Sequence, residues 1–391
     1  MQHFPPDQFR LGAYTPAGRL LGSERSGVAI DFLRNSAVVR DWQTPANNYV
    51  GTPAGLLTYT SPSAKNILGR DGFLASASTI RCEFDASGNP LGVLIEEART
   101  NLCLQASDLT NASWTKTNLT TAKTATGPDG VANSATTITA TAGNATALQA
   151  ITSGSAARIT SVWLKRRTGT GNIDVTQDNG TTWATQTLTS SWARYSIASV
   201  TSTNPTVGIR VVTNGDEVDV AFFQHELGAF ITSPIATTTA TVTRAVDNIT
   251  LPVTRFGYNQ PEGAVFLSFR QPTLIANSRY LDLAAGATRQ LDILYTGAFG
   301  QYYNGTASVS LANGPVANQT NRFAAAYKTA DWAGVMNGGA VVANASATVN
   351  TSTNIYFGNY NATNLINGYL QQVVYLPRRV PNVDLQAWSA V

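Results

Sequence analysis

Leu94-Ile95-Glu96-Glu97-Ala98-Arg99-Thr100-Asn101-Leu102 is followed closely by Ser107-Asp108-Leu109-Thr110-Asn111-Ala112-Ser113-Trp114-Thr115. Two further segments stand downstream, Glu226-Leu227-Gly228-Ala229-Phe230-Ile231-Thr232-Ser233-Pro234-Ile235 and Val242-Thr243-Arg244-Ala245-Val246-Asp247. The two blocks lie ~120 residues apart, enough chain for one β-sandwich. Between them, alternating apolar and polar residues predict strands at 135–140, 159–165, 172–176, 183–188, 193–200, 206–212 and 218–225. Turns rich in Gly, Asn and Asp divide these strands at the short spacing of an antiparallel sandwich.

Only 13% of the 391 residues are charged, against ~25% in an average soluble protein. Thr, Ser, Asn, Ala and Gly take their place, and Thr and Ser suit the outward positions of strands. The net charge of +3 is scattered, with small clusters at Lys165-Arg166-Arg167 and Arg378-Arg379. No nucleic-acid partner is expected from it. No apolar run reaches the ~20 residues of a membrane helix, so no membrane insertion is expected. Met1-Gln2-His3-Phe4-Pro5-Pro6 lacks the basic and apolar regions of a secretory signal. That pattern implies a protein made in the cytoplasm.

The chain is long enough for several domains. Residues 1–27, rich in Pro, Gly and Arg, read as an extended arm. Residues 28–99 read as a small β region, and 100–247 as the first sandwich. Pro252 and Pro261 flank an expected linker over 248–261. Residues 262–391 read as a second sandwich, beginning with the strand Gly263-Ala264-Val265-Phe266-Leu267-Ser268-Phe269 and ending in a short helix over 382–388 capped by Asn382. The expected fold is all-β, with two successive antiparallel sandwiches and little helix.

The segments around Glu96 and Arg244 resemble a junction in structural proteins of tailed phages and prophages, where it introduces a jelly roll similar to carbohydrate-binding modules. The close, Leu365-Ile366-Asn367-Gly368-Tyr369-Leu370-Gln371-Gln372-Val373-Val374-Tyr375-Leu376-Pro377-Arg378-Arg379, resembles the last strands of a concanavalin A-like, or laminin G-like, domain. The resemblance implies a structural virion protein on the outer surface of the particle: a head fibre, spike or tail fibre that adheres to host-surface polysaccharide. It implies attachment to other virion proteins through residues 1–100, and a homo-oligomer, with a trimer favoured. A decorating protein without a ligand and a capsule depolymerase are the alternatives.

Glycoside hydrolysis needs two carboxylates facing each other across a cleft. Glu96-Glu97 and Asp216-Glu217 are adjacent pairs, and adjacent strand residues point to opposite faces. No catalytic residue is therefore assigned. For glycan binding, Trp114 and the turn Tyr302-Tyr303-Asn304-Gly305 stand in the least core-like contexts. Jelly rolls of this kind often hold a structural calcium, for which Asp108, Asp129 and Glu226 are candidates. His225 reads as a structural histidine of a half-buried strand. Thr176-Gln177-Asp178-Asn179-Gly180-Thr181-Thr182-Trp183 matches the Asp-box hairpin of sialidases. Cys82 and Cys103 read as free thiols of a protein assembled in a reducing cytosol, with a disulfide between them as the alternative.

Overall fold

A computed structural model describes residues 26–60, 63–298, 300–304, 307–345 and 347–390. Strands make up 49% and helices 5% of the described residues, and every strand pair among them is antiparallel. The expected arm over 1–27 lies outside the described residues except for Ser26 and Gly27, which open the first strand.

The first sandwich forms as the alternation predicts. Five strands make one sheet, ordered Thr115–Thr117, Ala145–Ala150, Thr206–Val211, Ile173–Thr176 and Ala184–Gln186. Five make the other, ordered Leu119–Ala125, Ala135–Ala140, Glu217–Leu227, Ala156–Thr168 and Ala193–Ser202. Ile138, Val162, Ile209, Val220 and Phe223 fill the space between them. Their burial drives the collapse, while the neighbours Trp163, Ala221 and Phe222 turn to the other face and form a second apolar cluster there.

The second sandwich is not the C-terminal block alone. A ten-stranded sheet includes Glu262–Arg270, Thr320–Lys328 and Gly368–Leu376, but Ser26–Asp31 pairs directly with Gly368–Leu376. Pro90–Ile95 pairs with the same strand. In the facing seven-stranded sheet, Thr58–Thr60 pairs with Asn248–Pro252. Val28, Ile30, Val93, Ile249, Leu281 and Val373 share one core. The separate β region expected over 28–99 is therefore corrected: most of its strands complete the second sandwich. The linker expected over 248–261 is corrected too, because Ile249 and Leu251 alternate into that core and make 248–252 a strand.

The two sandwiches are consequently nested rather than successive. The chain begins the larger one, leaves to build the jelly roll, and returns to finish it. The outgoing and returning segments pair as a two-stranded neck, Arg99–Asn101 against Val242–Arg244, with the Thr100 and Thr243 hydroxyls 2.8 Å apart. A hairpin, Lys65–Leu68 with Leu74–Ala77, wedges between the modules. Leu68 and Leu74 pack on Trp163 and Phe222 of the jelly roll, while Ile67 and Ala77 pack on Leu94 and Tyr369 of the host sandwich. Period-two alternation gives one hairpin two apolar faces.

The C-terminal helix Asn382–Ser389 lies on the outer face of the ten-stranded sheet, with Leu385 buried against it. Asn382 does not cap this helix. Its Oδ1 accepts Arg379 Nη2 at 2.6 Å, and Pro381 occupies the cap position.

Candidate functional site

The segments around Glu96 and Arg244 meet in a buried ionic cluster at the neck. Asp247 accepts Lys65 Nζ at 2.7 Å, the Tyr59 hydroxyl at 2.6 Å and the Glu96 N–H at 2.8 Å. Arg244 stands 3.7 Å from Glu96 Oε2 and 3.9 Å from Asp247 Oδ2. Desolvating so many charges is tolerated only because each faces an opposite charge or a hydrogen-bond partner. Asn101, fully buried, donates to the Phe223 and Ile235 carbonyls and accepts the Cys103 and His225 N–H groups. This polar framework sets the modules in one orientation.

Beside it, where jelly roll, wedge hairpin and host sandwich meet, lies a cleft of about 410 Å³. Trp163, Arg194 and the return loop Phe230–Pro234 come from the jelly roll, Leu68 and Leu74 from the wedge, and Glu83, Glu96 and Tyr369 from the host side. The return loop is pinned from beneath by two carboxylates. Glu226 accepts the Thr232 N–H at 3.0 Å and its hydroxyl at 2.6 Å. Glu96 Oε1 accepts the Ser233 N–H at 2.7 Å. Arg194 donates to the Thr232 carbonyl at 2.6 Å and to Ser161 Oγ at 2.9 Å.

Three buried donors on residues lining this cleft have no hydrogen-bond partner within the protein, Trp163 Nε1, Arg194 Nε and Ser233 Oγ, while Glu96 Oε2 faces only Arg244 and the Glu83 carboxyl lies against the Tyr369 hydroxyl. Buried polar groups are nearly always satisfied, and these donors stand on residues that share one cleft. Burial, then the Glu96 charge, pushes the Glu83 carboxyl up to about 7. The cleft therefore offers a protonated acid near neutrality beside a second carboxylate.

The residues singled out from sequence lie elsewhere. Trp114, expected at the rim, is in the jelly-roll core, edge-on to Phe223 at 5.0 Å. Its indole N–H finds the Gln105 carbonyl at 3.3 Å, so a tryptophan in a polar stretch is buried without cost to its donor. Tyr302 is also core, stacked on Trp332 at 5.7 Å. Asn304 is buried and serves the turn, accepting the Ala307 N–H at 2.7 Å and donating to the Thr348 carbonyl. Gly305 lies outside the described residues. Tyr303 alone of this group is half-buried, with the Arg289 guanidinium 6.0 Å from its ring centre.

The calcium candidates are not brought together. Asp108 closes a turn on Thr110 and stands 3.6 Å from Lys123. Asp129 holds Val131 and Ser134, and Glu226 pins the return loop. Among the described residues no three His, Cys, Asp or Glu side chains gather as a metal site. His225 is buried with Nδ1 2.8 Å from Thr160 Oγ1. Burial and the Arg158 charge lower its pKa to about 4. Both cysteines are free thiols. The Asp-box sequence forms its hairpin: Asp178 accepts Thr176 Oγ1 and the Thr182 N–H, and Gly180 has a φ of 74°.

A second acidic pair was missed. Asp282 and Asp292 are direct cross-strand partners on the seven-stranded sheet, both fully buried. A bulge between Leu283 and Ala284 re-registers the partner strand, and Arg289 lies 3.6 Å from Asp282 and 3.3 Å from Asp292. The Arg289 guanidinium also stacks on Tyr360 at 4.3 Å. Burial and the charge of Asp292 raise the Asp282 carboxyl to about 8.

No protein-family model matches the chain, and no curated protein matches it in sequence. Among solved structures, a Trypanosoma rangeli sialidase in complex with the inhibitor DANA is similar over 36% of this chain and 26% of that one, with 12% identity and a TM-score of 0.30. The LG1-3 region of the laminin alpha2 chain is similar over 61% of this chain and 65% of that one, with 11% identity and a TM-score of 0.25. Domains LG4-5 of the mouse laminin alpha1 chain are similar over 75% of this chain and 91% of that one, with 10% identity and a TM-score of 0.24. Scores this low assign no activity to the chain.

Proposed function

We propose that the chain is a structural virion protein that holds host-surface polysaccharide in the cleft between its two sandwiches without cutting it. The observation that carries the binding reading is that Trp163, Arg194 and Ser233, each with a buried and unpartnered donor, line one partly apolar cleft. Saccharides offer many hydroxyls for such atoms and an apolar ring face for aromatic side chains, and the volume lies in the ordinary range of ligand pockets. The virion reading rests on the resemblance of the segments around Glu96 and Arg244. Attachment to other virion proteins would use the outer surface of the N-terminal hundred residues, where Trp42 and Val50 are each 60% exposed. A homo-oligomer, a trimer by preference, would multiply weak single sites.

The test is retention of the full chain on immobilised host capsule or lipopolysaccharide, with Trp163→Ala and the isosteric Glu83→Gln as variants. Retention that both variants lower by about tenfold, the scale of a hydrogen bond or two, with unchanged polymer length, supports the proposal. Absence of retention on every host polysaccharide overturns it in favour of decoration without a ligand.

Hydrolysis is a second reading, favoured by one observation: Glu83 and Glu96 line the same cleft, and burial raises the Glu83 carboxyl to about 7, so that a large share of it is protonated at neutrality. An acid held protonated beside a carboxylate is the pairing that glycosidases use. New reducing ends, lost in Glu83→Gln, would establish it over simple adhesion.

A further inference from the structure

A second pocket, of about 420 Å³, opens at the neck, with Glu97, Arg99, Arg158, Leu227, Gly228 and Thr243 among its walls. Arg99 is 6% and Arg158 7% exposed. Arg99 pairs through Nη2 with Glu97 Oε1, and its guanidinium lies 4.6 Å from the centre of the Phe230 ring. Its Nε and Nη1 have no hydrogen-bond partner. Arg158 Nη1 donates to the carbonyls of Gly154, Ala156 and Ser202, while its Nε has none. Among the described residues no carboxylate forms an ion pair with Arg158. Glu97 thus stands as one anion against two nearly buried cations.

Burying a guanidinium without a counter-charge is costly, and its fork of donors matches the oxygens of carboxylate or phosphate. Gly228, at a φ of 111°, leaves the space that Arg99 fills, because a Cβ there would run into the guanidinium. The mouth is open: Leu227 is 55% exposed.

We propose that this pocket is an oxyanion site, taking a carboxylate or phosphate group on the free donors of Arg99 and Arg158. The pocket is distinct from the Trp163 cleft, although Phe230, beneath Arg99, also lines that cleft. A sugar acid and a free phosphate present the same oxygens, so the probes are glucuronate and inorganic phosphate, with glucose as the neutral control.

Titration calorimetry and thermal melting of the full chain test the proposal. Binding of phosphate, of glucuronate or of both, with none for glucose, is expected, and the stronger of the two identifies the source. Arg158→Gln should weaken it by about tenfold or more, the weight of a charged hydrogen bond. Leu227→Asp, a surface change at the mouth that leaves the core alone, should weaken it several-fold by charge repulsion. Trp163→Ala should leave it unchanged. Failure of both anions to bind, or equal binding by the native chain and Leu227→Asp, overturns the proposal.

Discussion

The Glu96 carboxylate and the Ser233 backbone N–H meet at 2.7 Å although 137 residues separate them in the chain. The other Glu96 oxygen faces Arg244, so one side chain ties the end of a host-sandwich strand to both the return loop and the neck. Glu96→Ala would leave Arg244 with Asp247 as its one carboxylate partner, beside the Ala245 and Glu97 carbonyls, and free the loop that walls the cleft. The expected loss is about 3–5 kcal/mol, as for a buried ion pair deprived of one partner. Urea denaturation measures it; a loss under about 1 kcal/mol, that of an exposed pair, would refute the role.

The Asp282–Asp292 pair predicts that stability falls as pH rises. Both carboxyls are raised above their ordinary values, Asp282 to about 8. Between the ordinary value of 3.8 and about 8, the folded chain therefore holds protons that the unfolded chain has released. Unfolding is then favoured progressively by rising pH. Asp282→Asn should flatten this part of the melting-temperature profile, and an unaltered slope would count against the pair as its source.

His225 acts with the opposite sign. Its folded pKa of about 4 lies below the ordinary 6.5, so the unfolded chain binds the proton first as pH falls. The stability it contributes is complete above about 6.5 and is lost down to about 4. In His225→Gln this contribution between about 6.5 and 4 should vanish, while the contribution of Asp282, opposite in sign and overlapping in range, stays as it was. Melts across pH 4–8 of the single and double variants separate the two contributions.

Thiol chemistry gives an independent check on burial. Cys103 is fully buried and its thiol is pushed well up by burial; Cys82 is half-buried and also raised. The thiolate is the reactive form, so a thiol reagent at neutral pH should label Cys103 only after unfolding. Cys82 should react slowly in the native chain. Mass spectrometry showing prompt native labelling of Cys103 would contradict the packing around it.

The jelly roll was legible because its strands are local and alternate cleanly, as in Val207, Ile209 and Val211. Nothing local announces that Val28–Asp31 pairs with residues 372–375, since period-two patterning names a face but not a partner. The same limit hid the cleft. Glu83 and Glu96 reach it only through the pairing of Cys82–Phe84 with Pro90–Ile95 and the docking of the return loop. Trp114 misled because polar neighbours suggest a surface, whereas Asn111 and Ser113 face a turn while the indole turns inward. Asp282 and Asp292 sit amid apolar strand residues, where charge reads as an exception until the opposite strand supplies its partner.

The paired neck has a mechanical consequence. A pull on the jelly roll loads two chain segments together, because residues 99–101 and 242–244 leave side by side. Torque meets the same obstacle: two parallel tethers resist twisting where one would swivel, and the hairpin between the modules blocks the hinge. Under such a load the jelly roll would behave as a rigid lever on the host sandwich rather than as a weight on a string.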